Sequence, residues 1–179
     1  MPLLYEFPPT RSNRAKWTLK ELGITYECQT VELLKGEQNS DAYRAIQPLS
    51  LVSALKTDGY TMFECIAILL QSIDEHPDQN LGPPPGSPER GLYYQSAWFA
   101  DGEVNPAIIP VFDNTARLLK CMRPARSQHD PAMAGKGRYE FSHQAAILTD
   151  ALNGRNYLEG ATLPGPKSSS PITVSWQQP

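Results

Sequence analysis

Asp58-Gly59 constrains this chain more than any other pair of residues. It lies between two short runs, residues 53–56 and 60–63, and leaves room only for a tight reversal. The runs therefore pair as an antiparallel hairpin. Directly after Phe63 the apolar spacing lengthens, placing Ile66, Leu69, Leu70 and Ile73 on one face of a helix. A hairpin that feeds straight into a helix belongs to a sheet covered by helices. Upstream, residues 3–7 form an apolar run closed by Pro8 and Pro9, the mark of a buried strand. Ser12 or Asn13 caps a following helix whose inward residues are Ala15, Leu19 and Leu22, and Gly23 ends it. Residues 24–31 alternate as a second strand, parallel to the first across a right-handed crossover. Residues 40–46 read as a short helix capped by Ser40, with Asp41 in its first turn.

Residues 76–89, HPDQNLGPPPGSPE, are a linker by composition. Beyond it no strand pattern recurs. Residues 90–122 read as a helix with kink points at Pro106 and Pro110, and residues 133–152 as another. Residues 161–179 are rich in Pro and Ser without helical period, and are expected to be irregular or disordered. With 179 residues, 40% of them hydrophobic, the chain has apolar material for one ordinary domain or two small ones. A formal charge of −3 argues against nucleic acid or an anionic membrane as partner. Cys28, Cys65 and Cys121 lack CxxC spacing, so neither a disulfide framework nor a metal site is expected. No leader pattern and no spanning apolar run are evident, so the expectation is a soluble, cytoplasmic protein.

The element order βαβαββα followed by helices is that of a thioredoxin-like α/β domain joined to an all-α domain. In its wording the chain resembles the glutathione S-transferase family. LLYEFPPTRSNRAKWTLKELGITYE is similar to that family's first strand and helix, and VELLKGEQNSDAYRAIQPLSLV to its path into the third strand. DGYTMFECIAILLQSI is similar to the fourth strand and the helix whose first residues hold glutathione, and NGRNYLEG to a phrase in the helical domain. The resemblance implies a glutathione-binding domain over residues 1–76, a linker over 77–89 and a partial helical domain over 90–160. It also implies glutathione as co-substrate, no metal, a small hydrophobic electrophile and a homodimer. Small chains of this pattern resemble accessory proteins of fungal specialised-metabolite pathways, which makes an aromatic polyketide intermediate the implied electrophile.

Chemistry assigns the implied site in parts. Glutathione carries two carboxylates, an ammonium and a thiol that must approach its thiolate form to attack. Val52, on a strand edge, pairs with its cysteinyl backbone. Glu64 takes the ammonium, and the adjoining N–H groups at Cys65 take the γ-glutamyl carboxylate. The thiolate needs a donor near the first helix. Three hydroxyls qualify: Thr10 and Tyr5, each by analogy with a different class of the family, and Ser12. Arg11 stands near to stabilise the anion.

The sequence also departs from the family. Ser53 stands where relatives hold a cis proline; for serine a cis bond costs roughly 3–4 kcal/mol against roughly 0.5–1 for proline, so a trans bond is expected. Cys65 replaces a hydroxyl residue, and Leu51 replaces a polar residue used for the glycyl carboxylate, a role that Gln38 partly fills. After Gly160 the Ser/Thr-x-x-Asp box and later helices are missing, which implies exposed apolar surface on the helical unit and marginal stability. Two functions compete: a glutathione transferase whose pocket Tyr94, Trp98 and Phe112 line, and a catalytically impaired binding or assembly module.

Overall fold

The computed structural model describes residues 1–115, 130–155 and 158. The sheet has four strands: β1 (Leu3–Glu6), β2 (Glu27–Thr30), β3 (Ala54–Lys56) and β4 (Thr61–Phe63), in the order β2-β1-β3-β4. β1 and β2 are parallel, whereas β3 is antiparallel to both β1 and β4. The turn at Asp58-Gly59 is closed from both sides: the Thr57 amide donates to the Tyr60 carbonyl at 2.8 Å, and the Thr57 hydroxyl accepts from the Gly59 and Tyr60 amides.

The pleat divides the sheet's side chains into two cores. On one face Leu4 and Leu55 meet Ala15 and Leu19 of α1 (Ser12–Glu21) and Ile68 of α3 (Cys65–Asp74). On the other, Tyr5 and Ala54 meet Val31, Leu33 and Tyr43, the last from α2 (Asp41–Arg44). Each full burial of a large apolar side chain contributes about 1.5–3 kcal/mol. Helix α1 ends on Gly23 at φ +66°, with the Gly23 amide bonded to the Lys20 carbonyl and Ile24 to Leu19. These are the two bonds of a Schellman stop, which needs the left-handed residue that glycine supplies.

Two local expectations are corrected. Helix α1 begins at Ser12 itself, with Arg11 as its N-cap and no side-chain cap; the Ser12 hydroxyl is used across the preceding loop instead. The second strand starts at Glu27, since residues 24–26 complete the helix stop and approach the sheet.

After a 3₁₀ turn at Pro77–Gln79, the linker is tied down by Arg90 of α4 (Pro88–Phe99). Arg90 is buried, donates to the Pro83 carbonyl at 3.0 Å, pairs with Asp74 of α3 and lies over the Tyr93 and Tyr94 rings. The expected helix over residues 90–122 is two helices. Between α4 and α5 (Asn105–Thr115) runs a wide π-type turn, Ala100–Val104, in which the Asn105 amide reaches back to the Ala100 carbonyl. Pro106 has no N–H for the carbonyl one turn before it, so the ladder widens just upstream. Pro110 stays inside α5. Residues 116–122, Cys121 and the tail 161–179 lie outside the described residues. Helix α6 (Pro131–Ala151) is capped by Asp130, whose carboxylate accepts from the Ala132 and Met133 amides. It crosses α5 closely: a Cβ on Gly137 would stand 2.5 Å from the Ala107 carbonyl oxygen.

Candidate active site

Between the sheet domain and α5 lies a cavity of about 400 Å³. Its near wall comes from the loop before α1 and the loop before β3, and its far wall is Ile108, Ile109 and Phe112 of α5.

Of the three hydroxyl candidates, Thr10 alone borders this space. Ser12 does not border it; it is fully buried and bonded to its neighbours in the preceding loop. The Ser12 hydroxyl accepts from the Phe7 amide at 3.3 Å and lies 2.8 Å from the Thr10 hydroxyl, against 3.4 Å from the Phe7 carbonyl. Either hydroxyl can donate in the shorter contact, and Thr10 also accepts from the Ser12 amide at 3.3 Å. The Thr10 hydroxyl thus borders the cavity with the buried Ser12 hydroxyl as its hydrogen-bond partner. Tyr5 faces the opposite way: it is buried in the second core, its ring 5.8 Å from that of Tyr43.

Arg11 and Arg14 enter the cavity from α1 and its cap, and both bond one oxygen of Asp101, at 3.2 and 2.8 Å. Asp101 sits in the π-type turn, so the helical half supplies a carboxylate to the sheet half. Two guanidinium groups against one carboxylate leave this end of the cavity net positive.

Val52 lines the cavity immediately before β3. The Val52–Ser53 bond is cis, which corrects the expectation of a trans bond. The loop's path is set on both sides: the buried Gln47 side-chain oxygen accepts from the Leu49 and Leu51 amides, the Tyr43 hydroxyl donates to the Leu51 carbonyl at 2.7 Å, and β3 begins one residue later. Burial pushes the Tyr43 hydroxyl up to about 12, so it remains a donor at any physiological pH. Gln38, buried at 9% exposure, also borders the cavity, and its side-chain oxygen has no partner among the described residues.

Glu64 holds φ 74° at the N-cap of α3 without a side-chain cap bond. A bulky residue at positive φ is uncommon and concentrates at functional sites. Its carboxylate is exposed and makes no hydrogen bond or ion pair with a described residue. Cys65 follows, buried; burial pushes its thiol up, Asp101 adds to this, and Arg14 and Arg11 pull it partly back. It is a neutral thiol beside an open helix N-terminus. Glu64 and Cys65 do not border the cavity itself.

Of the three aromatic candidates for the far wall, Phe112 is there and the other two are not. Tyr94 bonds Asp74 and covers Arg90, while Trp98 stands 70% exposed with an edge against Gly102. Arg14, Ser50, Asn105 and Asp101 had no signal in the sequence except, for Asp101, a carboxylate just before a helix-breaking Pro. Among the described residues no group of three His, Cys, Asp or Glu side chains could hold a metal ion.

Comparison with known proteins follows the same geometry. Residues 3–70 match the family described as "Glutathione S-transferase, N-terminal domain". Glutathione S-transferase F10 of Arabidopsis thaliana is 38% identical over 68 residues, which cover 38% of this chain and 32% of that protein. Maleylacetoacetate isomerase of Dictyostelium discoideum is 32% identical over 95 residues, covering 52% of this chain and 43% of that one. The chain thus spans less than half the length of these curated relatives. The crystal structure of the glutathione transferase URE2P8 from Phanerochaete chrysosporium with oxidized glutathione aligns over 90% of this chain and 72% of its own, with a TM-score of 0.79 at 18% identity, a likeness of fold. Sheet order and the match over residues 3–70 agree: residues 3–70 are similar to the N-terminal domain of the glutathione S-transferase family, and the described chain shares the fold of that solved transferase.

Proposed function

We propose that this chain binds glutathione and adds its thiolate to a flat, apolar electrophile. The observation that carries this is the Thr10 hydroxyl, which borders the cavity, is bonded to the buried Ser12 hydroxyl and shares the cavity with an apolar wall from α5. Thr10 donates to the sulfur, and Ser12 positions Thr10; Tyr5, buried on the far side of the sheet, has no part. The thiol proton leaves to solvent, and the net positive charge of Arg11 and Arg14 against Asp101 favours the anion that remains. Each pKa unit by which the thiol is lowered corresponds to about 1.4 kcal/mol.

The rest of the tripeptide follows the sheet margin. Val52 pairs with the cysteinyl backbone. The α3 N-terminus, at the Cys65 amide, receives the γ-glutamyl carboxylate, and Glu64 the ammonium. Gln38 stands at the glycyl end with an unsatisfied side-chain oxygen. Residues 1–76 form the glutathione domain, 77–89 the linker and 90–160 the helical domain, with 161–179 as a tail. Ile108, Ile109 and Phe112 suit an aromatic electrophile such as a polyketide intermediate. Related isomerase chemistry would use the same thiolate as a transient nucleophile that adds to a double bond and departs.

Calorimetric titration with glutathione, followed by turnover of 1-chloro-2,4-dinitrobenzene, tests this. Binding with turnover that Thr10→Val lowers about a hundredfold and Thr10→Ser restores is the expected result. Absence of heat at millimolar glutathione would falsify the reading. Binding without turnover of any electrophile leaves the binding module, which Leu51, in place of a polar residue, favours.

A further inference from the structure

One polar side chain interrupts the apolar wall that α5 gives to the cavity. Asn105, Ile108, Ile109 and Phe112 all border it, and their spacing places them along one face of the helix. Asn105 is partly buried, at the point where the π-type turn becomes α5. Its backbone amide is committed to the Ala100 carbonyl, but among the described residues its side-chain amide has no hydrogen-bond partner. Asp101, in the same turn, is by contrast held by two arginines.

An open amide on an apolar wall discriminates between electrophiles. A wholly apolar ligand strips water from it and returns no hydrogen bond, whereas a ligand with an oxygen at that place restores the bond. The direction of charge flow decides which end of the amide is used. Attack by a thiolate moves negative charge onto the electrophile, and Arg11 and Arg14 on the same lining favour an anion over a cation. The N–H end of the amide, not its carbonyl, is complementary to such charge. Building on the glutathione reading above, we propose that Asn105 sets the specificity for the electrophile and selects one whose reacting carbon is conjugated to a carbonyl. The sulfur bonds to the β carbon, the carbon–carbon π pair moves to the bond between the α carbon and the carbonyl carbon, and the carbonyl π pair passes to oxygen as an enolate. The Asn105 N–H donates to that oxygen, and the α carbon then takes a proton from water to give the saturated adduct.

The test follows two reactions of glutathione on the full chain, each corrected for its uncatalysed rate: addition to benzylideneacetone, a conjugated ketone, and displacement of chloride from benzyl chloride, which lacks the oxygen. Asn105→Leu should lower kcat/KM for the ketone by about a hundredfold, chiefly in kcat, as when one donor to a developing oxyanion is removed. Turnover of benzyl chloride and the calorimetric affinity for glutathione should not change. Asn105→Ser, which returns a shorter donor, should fall between. Equal losses on both electrophiles in the two variants would overturn the proposal, as would no loss on the ketone. A wild type that binds glutathione without accelerating the ketone would overturn it too, and leave the glutathione reading standing. Absence of heat with glutathione would overturn both.

Discussion

The two halves of the described molecule bury different kinds of residue. In the sheet half, Leu4, Leu19, Leu55 and Ile68 are almost entirely removed from solvent, and Tyr5, Val31, Leu33 and Tyr43 nearly so. In the helical half the buried apolar residues are Val104, Ala107 and Ala134, while Leu92, Trp98 and Tyr139 stand more than half exposed. The helices meet instead through small residues, with Gly137 pressed against Ala107. The sheet half therefore carries both its own core and the Thr10–Ser12 hydroxyl pair at the cavity. What reaches the site from the helical half is a wall and one carboxylate.

The difference can be broken most directly at the core. Ile68→Ala should cost about 3 kcal/mol in denaturant unfolding, by lost transfer energy plus a cavity. Trp98→Ala should move the same measurement by less than about 0.5 kcal/mol, since its side chain is largely in solvent already. Equal effects would mean that the helical half is stabilised much as the sheet half is.

Division of labour at the site gives the next effect. Thr10→Val should lower kcat/KM by about a hundredfold, the loss expected when one donor to a developing anion is removed. Phe112→Ala should raise KM for the electrophile and leave glutathione affinity intact. A drop in glutathione affinity on removing Phe112 would place the tripeptide against the helical wall and reverse the roles of the halves.

Asp101 joins the two halves electrostatically. Asp101→Asn should destabilise by about 1 kcal/mol or less, because the side chains of Arg11 and Arg14 are 33% and 37% exposed and salt screens the pairs. The loss should shrink as salt is raised; a loss independent of salt would assign Asp101 a packing role.

The smallest effect is alkaline. Lys16 donates to the buried Glu6 carboxylate at 2.6 Å, and that bond holds its ammonium above the ordinary value of 10.5. A raised folded value means that the stabilisation is complete below 10.5 and is lost as pH climbs through the higher folded value. Unfolding of Lys16→Met, followed from pH 9 upward, should lack that part of the alkaline decline. An unchanged pH dependence would show that the pair contributes nothing measurable.

Much of the sheet half was legible because its determinants are local. Asp58-Gly59 fixes a hairpin by the conformations those two residues accept, Gly23 fixes a helix stop, and Ser40 caps α2 with its own side chain. The hydroxyl cluster was legible as a group, but the sequence could not rank its members. Ser12 has the composition of a cap, and only the approach of Phe7 turns it into a support for Thr10. The break after Phe99 was half legible: Pro106 marked the place, and the wide turn was decided by where its displaced carbonyls found donors.

By itself, the sequence determined the order of elements, the faces of the strands and the helix that opens after Phe63, since each follows from residues fewer than five positions apart. Tertiary structure alone decided which charges meet and which hydroxyl faces the cavity. Asp101 lies 90 and 87 positions from Arg11 and Arg14, and a contact at that separation leaves no period in the chain. Propensity acts along the backbone, whereas ion pairs and hydroxyl directions depend on distances through space that exist only once the two halves have packed.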